Sequence, residues 1–209
     1  VKLNEKVISV TQSDEKIAVK TEFDLYEADQ VISTLPPRLA VESIEYFPAL
    51  PEELHKQLQL IPTWMGYSAK CVIEYPEAFW REEGLSGFAV SHIGPLGEIH
   101  DACTDEKAAL FGFLHSYAKY DNLEEAVIQQ LIRLHGEKAG NPSKIYFVDW
   151  KKETYTSTSR DAMPLQEHPS YGFDATHFDK KMIFSSTESA FREGGYLEGA
   201  ISAAMHSAS

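Results

Sequence analysis

Short β-branched runs separated by polar turns fill residues 1–37. Val7-Ile8-Ser9-Val10, Ile17-Ala18-Val19 and Gln30-Val31-Ile32-Ser33-Thr34 each read as a strand. Gln12-Ser13-Asp14-Glu15 and Glu22-Phe23-Asp24 between them suit hairpin loops. Pro36-Pro37 ends the last run, because neither proline can donate to a ladder. The prediction is a three-stranded meander that needs another layer over one face. Pro51 opens a helix through Gln59, residues 64–75 read as a strand, and the glycine-punctuated stretch 84–101 reads as loop. Ala108 to Leu114 is apolar throughout, as a buried strand would be. Asn122 and Glu125 make a capping-box pattern ahead of Val127, Leu131, Ile132 and Leu134, an amphipathic helix that Gly136 can end. A further strand covers 145–150. Met182-Ile183-Phe184 begins a strand, polar loop and helix that runs to His206, broken by Gly194-Gly195. Strands alternating with helices predict an α+β or α/β fold, with a mixed sheet carrying helices on one side in the middle region.

Composition narrows the function classes. At 209 residues and 43% hydrophobic, the chain can build a real core and one or two domains. A net charge of −13 argues against binding nucleic acid or an anionic membrane through a basic surface. No window approaches the roughly 18 apolar residues of a membrane span. Cys71 and Cys103 make neither a metal-spaced cluster nor a disulfide framework, so both are expected as reduced thiols, with Cys71 in a buried strand. His92, His100 and His115 have no metal-ligand spacing, and no metal is expected. A cytoplasmic location is expected, although Val1 is not an initiator methionine and a chain that opens in mid-protein says nothing about targeting.

Two places carry candidate chemistry. The Gly194-Gly195 pair lets backbone approach a ligand at a helix N-terminus, where free N–H groups and the helix dipole favour negative charge. Gly199, Ala200, Ala203 and Ala204 keep that helix slim enough to pack against another backbone, and an ordinary small-residue packing face reads the same way. Lys70 lies in an apolar strand between Ala69 and Cys71, where it either snorkels to water or meets a partner.

The stretch Ser186-Thr187-Glu188 followed by Gly195-Tyr196-Leu197-Glu198-Gly199-Ala200 resembles the C-terminal FAD-binding segment of the flavin-containing amine oxidase family, with Ser186 at the usual glycine. Ala28-Asp29-Gln30-Val31-Ile32 through Pro36-Pro37 resembles a strand of the same family, and Gly66 to Ile73 followed by Phe79-Trp80 resembles its lysine strand. The resemblance implies FAD as cofactor, hydride transfer from an amine or amino-acid-like small molecule, and oxygen as acceptor. It implies that Lys70 holds a water near the flavin and that Tyr196 flanks the ring. It also implies that Val7, Trp150, Thr187, Glu188, Gly195 and Leu197 contribute to the cofactor site. Val7 reads equally well as a plain strand core residue. Where some members have a cysteine bonded to the flavin and then an aromatic, this chain has Ser159 and Arg160, which predicts non-covalent FAD and half of an aromatic cage. Arg160, if it lines the substrate site, would favour substrates bearing an anionic group; alternatively it faces solvent or pairs with Asp161 or Glu153.

There is no G-x-G-x-x-G turn to cradle a dinucleotide pyrophosphate. The resemblance therefore implies the later half of a longer protein, with FAD itself absent from this part alone. The expected partition is 1–59 and 151–209 as parts of an FAD domain and 60–150 as part of a substrate domain. Two alternatives stand beside the amine oxidase reading: a desaturase or protoporphyrinogen-oxidase-like flavoprotein, and a non-catalytic scaffold of the same fold. Homo-oligomerisation is left open.

Overall fold

The computed structural model describes residues 1–13, 15–115 and 119–208; Asp14, assigned above to a hairpin loop, lies outside the described residues. The chain forms two compact units, one from residues 1–66 with 151–209 and the other from 67–150. The first boundary thus falls at Gly66 rather than after Gln59, for a bonding reason: the Thr63 amide donates to Asp161, and the Tyr171 hydroxyl donates to the Pro62 carbonyl.

In the discontinuous unit, β1 (Val7–Ser13), β2 (Lys16–Thr21) and β3 (Leu25–Ala28) form the antiparallel meander. Its third strand is therefore 25–28, not 30–34. The Thr21 hydroxyl accepts from the Phe23 and Asp24 amides and turns the chain so that Leu25 re-pairs at once. β4 (Val31–Ser33) leaves for another sheet. Pro36-Pro37 does more than end a strand. Pro37 opens α1 (Pro37–Ser43), where the missing N–H costs nothing. β5 (Glu45–Phe47) then pairs parallel with β1, and α2 (Glu52–Leu60) follows Pro51 as expected.

The middle unit holds β6 (Ala69–Tyr75), α3 (Phe79–Glu82), β7 (Ala89–Val90), β8 (Leu96–Asp101), β9 (Ala108–Leu114), α4 (Leu123–His135) and β10 (Lys144–Asp149). The sheet order is β10-β6-β9-β8-β7, and every pairing is antiparallel, so the mixed sheet expected here does not form. The strand foreseen over 64–75 begins only at Ala69, because residues 64–67 turn and Met65 has φ +60°. Alternation along β6 sends Cys71, Ile73 and Tyr75 into a core with Leu96, Ile99 and Leu110 beneath Val127 and Leu131 of α4. Asn122 caps α4 by accepting from the Glu125 amide, but the cap is one-sided: the Glu125 carboxylate accepts from Gln129 instead. Gln130, buried, exchanges both its amide bonds with the Leu96 backbone and ties α4 to β8. Burial pushes the Cys71 thiol up to about 12, consistent with an inert strand residue.

Returning to the first unit, β11 (Ala175–His177) and β12 (Met182–Phe184) pair antiparallel, and β12 lies parallel to β4. α5 (Leu197–Ser207) closes the chain. Val10, Ile17, Leu58, Phe173, Met182 and Phe184 make this unit's core. Among the described residues, no helix is long and apolar enough to cross a membrane.

Candidate functional site

The turn between β12 and α5 is locked by one side chain. The Thr187 hydroxyl donates to the Tyr196 carbonyl at 2.6 Å and accepts from the Gly195 amide at 3.0 Å. Gly195 has φ +85°, and a Cβ there would lie 2.9 Å from Cβ of Trp64, so both conformation and space demand glycine. A Cβ at Gly199 would run into the Glu193 carbonyl, so the slim helix does pack against backbone. No side chain caps α5 at Tyr196, which leaves its first-turn amides, Leu197 among them, without a capping side chain.

Beside this turn lies a cavity of about 580 Å³, lined by Ile32, Thr34, Thr63, Trp64, Ser186, Glu188 and the small residues Gly195, Ala200 and Ala204. Three buried oxygens on its wall have no hydrogen-bond partner among the described residues: Thr63 Oγ1, Ser186 Oγ and Glu188 Oε2. Burial holds the Glu188 carboxyl above the ordinary carboxylate range, against a smaller pull from the nearby Ser186 hydroxyl, which falls short of hydrogen-bond geometry. A second cavity of about 470 Å³ is lined by Val7, Val31, Ser33, Leu39 and Met182, together with Thr154 and Tyr155 from the return segment. Ile32 and Thr34 line both.

In the middle unit, Lys70 occupies the sheet face opposite α4. It shares that face with Val72 and with its cross-strand partners Phe113 and Val148. Its ammonium lies 5.2 Å from the Phe113 ring centre and 5.9 Å from those of Phe111 and Trp150. Among the described residues it has no carboxylate partner. Trp150, at the end of β10, keeps its buried Nε1 unpaired.

Arg160 is exposed, and its Nε is 3.5 Å from Glu42 of α1, so neither Asp161 nor Glu153 is its partner. Asp161 is buried instead. Its Oδ1 accepts from Arg38 at 2.5 Å and from the Thr63 amide at 3.1 Å, and its Oδ2 accepts from the Thr158 amide and hydroxyl, each at 2.9 Å. Arg38 also donates to the Gln59 carbonyl at the end of α2. Sequence reasoning missed this node, because 123 positions separate its two charges and neither lies in a recognisable motif. It also missed the rings around Tyr196: His168 stacks on it with centroids 5.3 Å apart, and Trp64 is 4.4 Å from His168. Among the described residues, no group of three His, Cys, Asp or Glu could hold a metal ion.

The whole chain, residues 1–209, matches the family described as flavin containing amine oxidoreductase. The chain belongs to that family. It is 31% identical over 223 residues to amine oxidase [flavin-containing] B of Mus musculus, an alignment covering 100% of this chain and 42% of that protein. It is 30% identical over 213 residues to the probable flavin-containing monoamine oxidase A of Dictyostelium discoideum, covering 95% and 45%. The fold matches cyclohexylamine oxidase from Brevibacterium oxydans with a TM-score of 0.81 at 22% identity, over 99% of this chain and 47% of that one. It matches a putrescine oxidase bound to putrescine with a TM-score of 0.78 at 24% identity, over 100% and 48%. The chain thus spans less than half the length of the relatives it matches. The residues present fit the flavin that the family name implies: a glycine-lowered wall, an uncapped helix start and three unpaired buried oxygens are what a large hydroxyl-bearing ligand would satisfy.

Proposed function

We propose that this chain forms part of an FAD-dependent oxidoreductase that oxidises a C–N bond of a small-molecule amine. The observation that supports this most is the cavity at the β12–α5 turn, whose wall carries Thr63, Ser186 and Glu188 oxygens with no partner of their own. When bound, FAD supplies the acceptor for the hydride leaving the carbon beside the amine nitrogen, with oxygen as final oxidant. Glu188, whose carboxyl burial holds above the ordinary carboxylate range, can offer its unpaired Oε2 to a ligand hydroxyl. Gly195 keeps the wall low, and the start of α5, with the Leu197 amide, favours negative charge. Val7, Thr154 and Tyr155 would serve the second cavity. Lys70, held among ring faces with no carboxylate partner among the described residues, supplies a positive charge for negative charge that develops during turnover. Attachment is non-covalent, because the Ser159 hydroxyl is far less acidic than a thiol.

The test uses the complete protein. Lys70→Met is expected to slow reoxidation of the reduced enzyme by oxygen about tenfold or more while leaving flavin affinity nearly unchanged, since the charge acts mainly where negative charge builds up. Unchanged reoxidation would return Lys70 to a solvated strand lysine. A complete protein that binds no flavin and makes no peroxide from any amine would overturn the whole reading.

A further inference from the structure

Residues 62–66 of the first unit form a strap held by three side chains of the return segment. The Tyr171 hydroxyl donates to the Pro62 carbonyl at 2.7 Å, the Asp161 carboxylate accepts from the Thr63 amide at 3.1 Å, and the Ser157 hydroxyl donates to the Gly66 carbonyl at 3.0 Å. The strap also closes on itself, with the Gly66 amide donating to the Thr63 carbonyl at 3.1 Å. The fit is close: a Cβ at Gly66 would lie 2.9 Å from Ser157 Oγ and 3.3 Å from Cβ of Asp161. Arg38 holds the other side, donating to Asp161 and to the carbonyls of Gln59 and Leu60, just before the strap begins. Thr63 is 7% exposed and Asp161 4%, so water competes little for these bonds. Thr63 Oγ1 itself, on the wall of the 580 Å³ cavity, has no hydrogen-bond partner among the described residues. A buried hydroxyl left unpaired is costly, and one on a cavity wall is satisfied by what the cavity binds. Arg38, Thr63 and Asp161 all lie outside the stretches whose sequence resembles the family.

We propose that Thr63 Oγ1 is a direct hydrogen-bonding group for the ligand of this cavity, and that Asp161 and Arg38 are positioning residues that act through it. The ligand is the FAD of the function proposed above, on which this inference rests. A hydroxyl donates to an oxygen or nitrogen acceptor and accepts from another hydroxyl, so it suits a polar part of the flavin nucleotide. Asp161 grips the Thr63 backbone and not its side chain, but threonine is stiff at χ1, and a fixed backbone therefore fixes where Oγ1 points. A buried ion pair gains little over apolar side chains of the same size, so stability alone gives no reason for Arg38 and Asp161; a rigid bracket behind a binding group does.

The experiment strips flavin from the complete protein and titrates FAD back, reading the dissociation constant from flavin fluorescence. Thr63→Val, which removes the hydroxyl and keeps the shape, is expected to weaken FAD about fivefold, and Thr63→Ser, which keeps the hydroxyl, to stay within about twofold of the parent. The paired change Arg38→Met with Asp161→Leu strands neither charge and is expected to weaken FAD about fivefold in the parent but less than about twofold when Thr63 is already valine. Arg38→Lys, a milder change, is measured in parallel and is expected to show a smaller loss that likewise vanishes in the Thr63→Val protein. A purely structural ion pair would cost the same factor in both backgrounds, and that result, from whichever of these variants folds, would overturn the positioning role. Unchanged affinity in Thr63→Val, or a serine variant as weak as the valine one, would overturn the contact itself. Were the complete parent protein to bind no flavin, the function proposed above would fall and this inference with it; were it to bind flavin with Thr63→Val unaffected, only this inference would fall.

Discussion

Asp161→Ala tests whether the node joining α1, α2 and the 158–162 turn is real. The carboxylate side chain is 1% exposed and accepts four hydrogen bonds, one of them from a guanidinium that is itself only 10% exposed. Alanine would leave Arg38 charged, buried and uncompensated, and would strip the Thr63 amide of its acceptor. Breaking a buried pair by removing one partner costs about 3–5 kcal/mol, and the orphaned amides lie within that range rather than adding to it in full. Against a domain stability of about 5–15 kcal/mol, that loss is severe. The double variant Arg38→Met with Asp161→Leu removes both charges together and is expected to cost far less than the sum of the singles, because neither charge is then stranded. Urea unfolding followed by circular dichroism measures the energies, and hydrogen exchange at the Thr63 amide reports the bond directly. A loss under about 1 kcal/mol for Asp161→Ala, or a double variant as unstable as the singles combined, would refute the reasoning.

Two further outcomes follow from the structure. His135 is buried with both ring nitrogens unpaired among the described residues, and burial holds it below the ordinary histidine range, with Glu83 pulling the other way. The native state therefore binds that proton less readily than the unfolded chain, so its stability is complete above the unfolded pKa of about 6.5 and is lost as pH falls below it. His135→Phe should flatten thermal stability between about pH 7 and pH 5, and an unchanged slope in a pH series of melting curves would contradict this. Gly199→Ala should displace the start of α5 from the Glu193 carbonyl and lower stability by about 1–3 kcal/mol; a neutral result by urea titration would mean the helix has room that the structure denies it.

Elements whose stop and start signals were local could be read from the chain. α4 has a capping asparagine, a helical apolar period and a terminal glycine within a single stretch, and β9 is one unbroken apolar run. β3 escaped because Leu-Tyr-Glu-Ala contains no β-branched residue, so pairing with β2 rather than propensity makes it a strand. α1 escaped because a proline pair signals a strand end and a helix start with the same residues, and only the chain beyond decides. The all-antiparallel middle sheet is unreadable for a related reason: strand direction follows from connections, and β7 and β8 lie in a glycine-punctuated stretch that reads as loop.

The same limit acts on charge in each unit. Lys70 and Arg160 are both cations near motif positions, and sequence alone treats them alike. Arg160 is answered by Glu42, on the same helix whose Arg38 reaches Asp161, so α1 grips two neighbouring residues of the return segment through two ion pairs of opposite sense. Its field outside that pair is largely spent. Lys70 faces rings instead, which hold an ammonium without cancelling it. A cation becomes available for chemistry through what the fold leaves opposite it, and that is set by residues distant in sequence.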